Sequence, residues 1–246
     1  MTLQNQTLNN TSITGQTIVA LCTPSGSGAI GLIRLSGDNV FEIVNQMSCL
    51  ANGQTIDAQK SHSIAYGWVT DQQKNKIDQV LFLIMHGPKT FTGQNVVEIT
   101  CHNNPFLIEA IIDQAILCGA RRAQKGEFSQ RAVLLGKIDL LQAEAIADLI
   151  HAQTSDSLKI SMAQLEGSLS AWIEKIENDV LTILAFCQAS FEFLDEEIDF
   201  APEIRTMMQT VISQIETVLA SYPKQKYIKE GIKIAFIGAA NAGKSS

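Results

Sequence analysis

The stretch Gly238-Ala-Ala-Asn-Ala-Gly243-Lys244-Ser245-Ser246 fits the phosphate-binding pattern G-x-x-x-x-G-K-[ST]. In this pattern the glycines let backbone N–H groups turn toward the phosphates, the lysine reaches the β and γ phosphates, and the serine hydroxyl binds Mg²⁺. The apolar run Ile232, Ile234, Phe236 and Ile237 precedes it, as expected of a buried parallel strand. The stretch therefore predicts a strand and a nucleotide loop. A strand followed by a simple Gly-Ala turn is the alternative.

The composition is that of a globular protein. Of the 246 residues, 46% are hydrophobic, which is enough apolar surface for one large domain or two smaller ones. No run approaches the length of a membrane span, and residues 1–16 are polar, without the features of a secretion signal. The five cysteines are scattered and never spaced as C-x-x-C, which favours reduced thiols and no zinc site. We therefore expect a cytoplasmic protein with a disordered N-terminus over residues 1–16 and no membrane partner.

The charge is unevenly distributed. A net charge of -7 argues against non-specific binding to polyanions, because such affinity comes mainly from lysine and arginine. Residues 121–137 nevertheless carry five basic side chains and a single acid, Glu127. The basic residues are Arg121, Arg122, Lys125, Arg131 and Lys137. A solvated helix face and a local anion site are both compatible with this segment.

The order of the expected elements favours an α+β domain followed by a helical one. Alternating and apolar runs predict strands over residues 17–22, 30–35, 62–69, 79–85 and 96–101. Ser36-Gly-Asp38 offers capping chemistry for a helix from residue 40, and Asn104-Pro105 predicts the start of a helix that ends near Gly119. After Gly126 apolar residues recur at helical spacing, with a break near residues 199–202 and a polar linker over 223–231. The expected domains are residues 17–123, 124–223 and 224–246.

Three further patterns carry less weight. Gly26-x-Gly28-x-x-Gly31 matches the dinucleotide-binding fingerprint formally, but a strand follows it and no helix N-terminus can receive the phosphates. His102 follows Cys101 without an identifiable partner, which favours a hydrogen-bonded structural histidine over nucleophilic chemistry. Asp195-Glu-Glu197 is interpreted as a solvated acidic turn in preference to a metal or partner contact.

Several segments, taken in order, match one known family. They are Ile18-Val-Ala20, Gly31-Leu-Ile-Arg-Leu-Ser-Gly37, Phe91-Thr-Gly93, Gly126-Glu-Phe-Ser129, Arg131-Ala132, Lys137-Ile-Asp-Leu140, Gln142-Ala-Glu-Ala-Ile-Ala-Asp148, Leu194-Asp-Glu-Glu-Ile-Asp-Phe200 and Asn241-Ala-Gly-Lys-Ser-Ser246. From about residue 17 to the last residue, the sequence closely resembles the tRNA uridine-modification GTPases called MnmE or TrmE.

The resemblance implies an α+β N-terminal folate-binding domain similar to the aminomethyltransferase fold. A helical-bundle domain follows, and residues 224–246 would be a linker with the first strand and P-loop of a Ras-like G domain. The family works as a homodimer through the N-terminal domain, together with an FAD-dependent partner, MnmG. With a tetrahydrofolate one-carbon donor (5-formyl- or 5,10-methylene-) and K⁺-dependent GTP hydrolysis, it adds a carboxymethylaminomethyl-type group to the wobble uridine of certain tRNAs.

By position in the family motifs, Arg34, Glu98 and Lys137 would bind folate. Arg34 and Lys137 suit the glutamate carboxylates of folate, and Glu98 suits the N–H donors of the pterin. The nucleotide loop would consist of Asn241, Ala242, Gly243, Lys244, Ser245 and Ser246. In that loop Asn241 would bind K⁺ and Ser245 would bind Mg²⁺. No intact catalytic residue of the GTPase is expected within these 246 residues.

One departure from the family pattern concerns the turn after His102. Many members carry His-Gly-Gly-Pro, where this sequence has His102-Asn-Asn-Pro105. Asparagine can adopt the left-handed conformation that glycine adopts freely, so the turn is expected to survive, while a backbone contact to a ligand there is in question.

The sequence leaves different classes of function open. One is a GTPase of tRNA modification, and another is a truncated, non-catalytic module that binds folate and dimerises. A third, an unrelated ATP-binding P-loop protein, is disfavoured by the upstream segments.

We predict that a polypeptide of these 246 residues shows no K⁺-stimulated GTP hydrolysis. A phosphate loop needs the helix that begins at its lysine, and only three residues from Lys244 onward are present to form one. Phosphate release measured with and without K⁺ tests this, and measurable turnover would contradict it.

Overall fold

The computed structural model describes residues 15–24, 26, 28–192, 199–230, 235, 237 and 238. Its contacts divide the chain into two compact units, residues 1–138 and 139–246. Within the described residues, none of the helices has both the length and the apolar character that a membrane crossing requires.

The first unit is built on a seven-stranded sheet with the order β3-β4-β5-β6-β2-β1-β7. All neighbouring strands are antiparallel except β1 and β7, which are parallel. The strands are β1 (Ile18–Leu21), β2 (Ile30–Ser36), β3 (Ser48–Leu50), β4 (Ser63–Thr70), β5 (Lys76–Met85), β6 (Val96–His102) and β7 (Arg121–Arg122).

Strand alternation decides which side of this sheet becomes the core. Ile33 and Leu35 of β2, with Val97 and Ile99 of β6, are fully buried. They join one apolar cluster with residues of helices α1 (Val40–Gln46) and α2 (Pro105–Leu117). Because successive side chains of a strand point to opposite faces, Arg34 and Glu98 lie on the other face. The core thus fixes the two central strands that carry these polar residues.

The five expected strands and the helix after Asn104-Pro105 are confirmed. Asn104 caps α2, and its side chain accepts the N–H of Phe106. Strands β3 and β7 have three and two residues, too short for an alternating pattern to reveal them. The expected cap of α1 is wrong: Asn39 is the N-cap, because Ser36 ends β2 and its hydroxyl bonds to Thr92. A strand, β2, does follow Gly26-x-Gly28, as expected.

The second unit is helical, with α4 (Leu140–His151), α5 (Ser155–Leu165), α6 (Ser168–Glu192) and α7 (Ala201–Glu230). A capping box between Asp139 and Gln142 starts α4, and the Thr154 hydroxyl accepts the N–H of Ser157 at the start of α5. The expected break near residues 199–202 is present, because α7 begins at Ala201. Asp195-Glu-Glu197 lies outside the described residues.

Two expected boundaries differ from the structure. Helix α3 (Glu127–Leu134) belongs to the first unit, so the division falls after Ile138 and not after residue 123. The reason is that Arg131 of α3 bonds to Gln94 and to the carbonyl of Gln16. The polar linker expected over residues 223–231 is wrong as well, since α7 continues through Pro223 to Glu230. Proline in a helix interior removes one hydrogen bond and crowds the carbonyl four residues earlier, whereas the Lys, Gln and Glu residues that follow favour helix.

A buried ion cluster fixes α3 to the sheet. Arg131 is completely buried and Glu127 is 2% exposed. One oxygen of Glu127 accepts from Arg131 at 3.0 Å, and the other accepts from Arg121 and from the N–H of Gln124, both at 2.8 Å. Burial alone would raise the pKa of Glu127, but the hydrogen bonds from Arg121, Gln124 and Arg131 outweigh it and lower the pKa to about 2. Glu127 is therefore ionised and holds both arginines.

We predict that Glu127 makes the first unit sensitive to acid. Its pKa in the folded chain lies below the ordinary 4.5, so its contribution is complete above pH 4.5 and is lost as the pH falls through about 2. At pH 7, Glu127→Gln should reduce the free energy of unfolding by about 3–5 kcal/mol, because it leaves a buried arginine without its counterion. Urea unfolding followed by Trp68 fluorescence, in a Trp172→Phe background, measures this.

The matched control is Glu109→Gln. Glu109 pairs with Arg122 at the surface, where such pairs contribute about 0–1 kcal/mol. Equal losses in the two variants at pH 7, or an unchanged acid dependence in Glu127→Gln, would contradict the prediction.

Candidate functional site

Arg34 and Glu98 form an ion pair on the sheet face away from the core. They are direct partners in the register of β2 and β6. Arg34 Nη2 lies 2.6 Å and Nε lies 2.7 Å from Glu98 Oε1. The side chains are 25% and 12% exposed, so the pair is largely withdrawn from water but accessible. Charge-assisted hydrogen bonds of this length, partly shielded from water, hold the two side chains in one relative orientation.

Two aromatic rings flank the guanidinium of Arg34. Its Cζ lies 5.6 Å from the ring centre of Phe91 and 5.6 Å from that of Phe128. Both distances are within the range of cation–π attraction. Both phenylalanines lie in segments that resemble the family, although the sequence predicts neither as a site residue. Their positions in Phe-Thr-Gly and Gly-Glu-Phe-Ser were the available signal.

The loop between β5 and β6 places Phe91 at the site. Thr92 is fully buried, and its hydroxyl lies 2.7 Å from that of Ser36 at the end of β2. Gln94 accepts a hydrogen bond from Arg131 at 3.0 Å. Phe128 follows Glu127, so the same buried cluster positions the second ring. The site therefore consists of two strand residues and two rings held by polar anchors.

The pair retains unused hydrogen-bonding capacity. Within the described residues, neither Nη1 of Arg34 nor Oε2 of Glu98 has a hydrogen-bond partner. A guanidinium nitrogen only donates and a carboxylate oxygen only accepts. The site can thus bind a group that carries an acceptor beside a donor.

Lys137 contacts the same loop between β5 and β6, at Pro88 and Gly93. Its Nζ donates to the carbonyl of Pro88 at 2.9 Å. Gly93 has φ +83, and a side-chain carbon there would come within 3.1 Å of the Lys137 Cδ. The absence of a side chain at Gly93 therefore leaves room for the lysine stem across the loop.

These positions bear on the expected division of roles. The pterin and the glutamate are at opposite ends of folate, whereas Arg34 and Glu98, which were expected at different ends, are in direct contact. Lys137, the other expected carboxylate contact, donates to the Pro88 carbonyl and has no ion pair with Glu98 among the described residues.

Most of the basic segment is neutralised within the first unit. Arg121 and Arg131 bind Glu127, and Arg122 binds Glu109 and Asp113 at the surface. The arginines of this segment therefore form neither a solvated helix face nor an anion site. Their ion pairs hold α2 and α3 to β7. An arginine paired in this way has its charge satisfied locally.

The expectation of a hydrogen-bonded structural histidine at position 102 is confirmed. His102 has a partner, Asp78, whose Oδ1 lies 2.7 Å from Nδ1. Asp78, a buried acid near the start of β5, was the missed signal. Neither Asn103 nor Asn104 has a positive φ, and the Asn103 amide donates to the carbonyl of Gly26 at 2.9 Å. The asparagines therefore do not need the left-handed conformation that glycine permits.

The expected nucleotide loop cannot be compared with the structure. Residues 239–246, which include the six expected nucleotide contacts and both metal ligands, lie outside the described residues. Of the apolar run before them only 235 and 237 are described, and neither is in a strand. Among the described residues, no cluster of three or more His, Cys, Asp or Glu could hold a metal.

Cys22 responds to the charges of the site. Loss of hydration around its sulfur raises the pKa of the thiol, the Arg34 charge lowers it, and the Glu98 charge raises it. The residue as a whole is exposed. Its reactivity can therefore report on the state of the pair.

We predict opposite effects of the two partners on alkylation of Cys22. Glu98→Gln removes a negative charge and should lower the thiol pKa, so iodoacetamide reacts faster at a fixed pH near 8. Arg34→Gln should slow the reaction. Mass spectrometry of the labelled peptides measures both rates, with exposed Cys49 on β3 as the internal control. The same rate at Cys22 in both variants would contradict the geometry.

Comparison with known proteins gives matches over both units. Residues 17–137 match the family model described as "GTP-binding protein TrmE N-terminus", and residues 140–239 match the model "MnmE helical domain". The border between the two models coincides with the division after Ile138.

Individual relatives agree with these models. A protein of Flavobacterium psychrophilum named "tRNA modification GTPase MnmE" is 40% identical over 234 residues, which are 94% of this chain and 50% of the relative. The protein of the same name from Bacillus subtilis is 36% identical over 234 residues, 94% of this chain and 51% of the relative. The chain thus spans about half the length of the curated relatives it matches. It belongs to the MnmE family of tRNA modification GTPases, of which it carries the N-terminal and helical domains.

Proposed function

We propose that the protein takes part in tRNA modification as a GTPase that uses a tetrahydrofolate one-carbon donor. With the FAD-dependent partner MnmG, it adds a carboxymethylaminomethyl-type group to the wobble uridine of certain tRNAs. Family membership supports the tRNA modification and the GTPase activity. The folate donor, K⁺ dependence and MnmG extend beyond those matches.

The Arg34–Glu98 pair is the observation that carries the folate proposal. Oε2 of Glu98 is open to accept from the N–H groups of a pterin, and Nη1 of Arg34 is open to donate to its ring nitrogen or carbonyl. Phe91 and Phe128 supply apolar surface beside them. These residues fit the pterin end of folate, with its mixed donors and acceptors on a flat ring.

Lys137 completes the proposed site at the glutamate end. Its ammonium donates to a single carbonyl, Pro88, and retains further N–H donors for a carboxylate. The exposed position of Lys137 suits a ligand tail that extends toward solvent. When bound, the folate supplies the one-carbon unit, and the residues of this chain bind and orient it.

The nucleotide part of the proposal depends on the sequence motif alone. Lys244 binds phosphate, Ser245 binds Mg²⁺, and Asn241 binds K⁺. A homodimer through the first unit also belongs to the proposal, and large apolar side chains exposed there, such as Phe106, are compatible with it. The second candidate, a folate-binding and dimerising module without catalysis, shares the Arg34–Glu98 site.

We predict that the chain binds 5-formyltetrahydrofolate and that Glu98→Gln weakens this binding about tenfold or more. The variant replaces a charged acceptor with a neutral amide and also frees Arg34, and a hydrogen bond to a charged group contributes about 1.5–3 kcal/mol. Arg34→Ala combined with Lys137→Ala should weaken binding at least as much. Titration calorimetry measures the affinities.

Arg122→Ala is the matched control, because it removes an arginine of the same segment that pairs only with surface acids. Its affinity should equal that of the unmodified chain. Unchanged binding in the Arg34 and Lys137 double variant, or no binding by the unmodified chain, would refute the site.

A further inference from the structure

The loop between β5 and β6 brings two lysines close together. Lys137 Nζ donates to the carbonyl of Pro88 at 2.9 Å, and Lys89 is the residue that follows this carbonyl. Both lysines are exposed. Because consecutive Cα atoms are about 3.8 Å apart, the ammonium of Lys137 lies against the backbone from which Lys89 extends.

Hydrogen bonds on both sides hold the tip of this loop. The N–H of Gly87 donates to the side-chain oxygen of Asn95 at 3.0 Å. The Thr90 hydroxyl donates to the carbonyl of Gln94 at 2.6 Å. The backbone at Lys89 is therefore anchored before and after the lysine, while the side chain of Lys89 extends into solvent.

The charges of the two lysines are not neutralised within the described part of the chain. Neither forms an ion pair there, and neither residues 86–97 nor residues 128–138 contain an acid. Asp38 accepts from Gln94 at 3.5 Å, but its charge acts on the buried Arg131. On a chain with a net charge of -7, two adjacent lysines without counterions form a local positive site.

The same loop connects the lysines to the Arg34–Glu98 pair. Phe91, two residues beyond Lys89, has its ring centre 5.6 Å from the guanidinium carbon of Arg34. A ligand with its ring at this pair and its glutamate at Lys137 therefore ends beside Lys89. A lysine ammonium is a point charge with three donors on a flexible stem, which suits carboxylates whose positions vary along a chain.

We propose that Lys89 and Lys137 select folates that carry a chain of further γ-linked glutamates. Lys137 binds a carboxylate of the first glutamate, and Lys89 binds carboxylates of the glutamates that follow. Each additional glutamate adds one carboxylate, and a lysine without a counterion gains from pairing with it. This preference rests on the proposed folate site and names the form of the ligand that the site favours.

The test compares the affinity of the 246-residue chain for 5-formyltetrahydrofolate with one glutamate and with three, by titration calorimetry at low salt. We expect the triglutamate to bind about three- to fivefold more tightly, because exposed ion pairs contribute modestly to binding. Sodium chloride at high concentration should remove the difference, since salt screens exposed charges.

Lys89→Gln should reduce the ratio of the two affinities to about one, because the amide keeps a polar side chain but removes the charge. The matched control is Lys74→Gln. Lys74 is also exposed, but it precedes β5 and so lies at the end of that strand away from the loop. A strand of ten residues is roughly 30 Å long, so the ratio in this variant should equal that of the unmodified chain.

The possible failures are distinguishable. Equal affinities for the monoglutamate and the triglutamate at low salt, or a preference that persists in Lys89→Gln, overturn the role of Lys89 and leave the folate site intact. An equal fall in Lys74→Gln and Lys89→Gln also overturns it, because the preference then comes from the overall charge of the chain. If neither form of the ligand binds, the proposed folate site fails, and the preference fails with it.

Discussion

The buried contact between Arg131 and Glu127 is the interaction on which the first unit depends. Arg131 is fully buried and would be prohibitively costly there without its counterion. The same guanidinium reaches Gln94 in the loop before β6 and the backbone of Gln16 before β1. It thereby connects three segments that are far apart in sequence. Phe128 directly follows Glu127, and Phe91 lies in the loop that Arg131 holds through Gln94, so the ion pair helps to position both rings beside Arg34.

Strand alternation gives the sheet two different faces. On β2 and β6 the residues on either side of Arg34 and Glu98 are completely buried and pack against α1 and α2. Between these buried positions, Arg34 and Glu98 face the opposite side of the sheet and form the candidate site. A shift of one residue in register would bury Arg34 and expose Ile33 and Leu35. The apolar core therefore specifies the position of the chemistry on the far side of the sheet.

The sequence predicted the long elements of this fold because their signals are local. Alternation in β2, β5 and β6, and Asn104-Pro105 before α2, depend only on neighbouring residues. Strand β7 has two residues and exists only because β1 lies beside it, so no local pattern reports it. The site was predicted in its residues but not in its contacts. Motif position selected Arg34 and Glu98, whereas their direct pairing follows from the register of two strands 64 positions apart. Pro223 predicts a helix end, whereas the helix-forming residues that follow it continue α7 to Glu230.

The two asparagines after His102 have a consequence for the entropy of folding. Asn104 caps α2 and Asn103 bonds to the carbonyl of Gly26, so both side chains are used in the native junction between β6 and α2. Two glycines, as in the His-Gly-Gly-Pro pattern, would have more conformational freedom in the unfolded chain. Each replacement of glycine at a compatible backbone position reduces that freedom and contributes about 0.4–1 kcal/mol. In this chain the junction is ordered at a smaller entropic cost, and the glycine-rich segment before β2 is tethered to it.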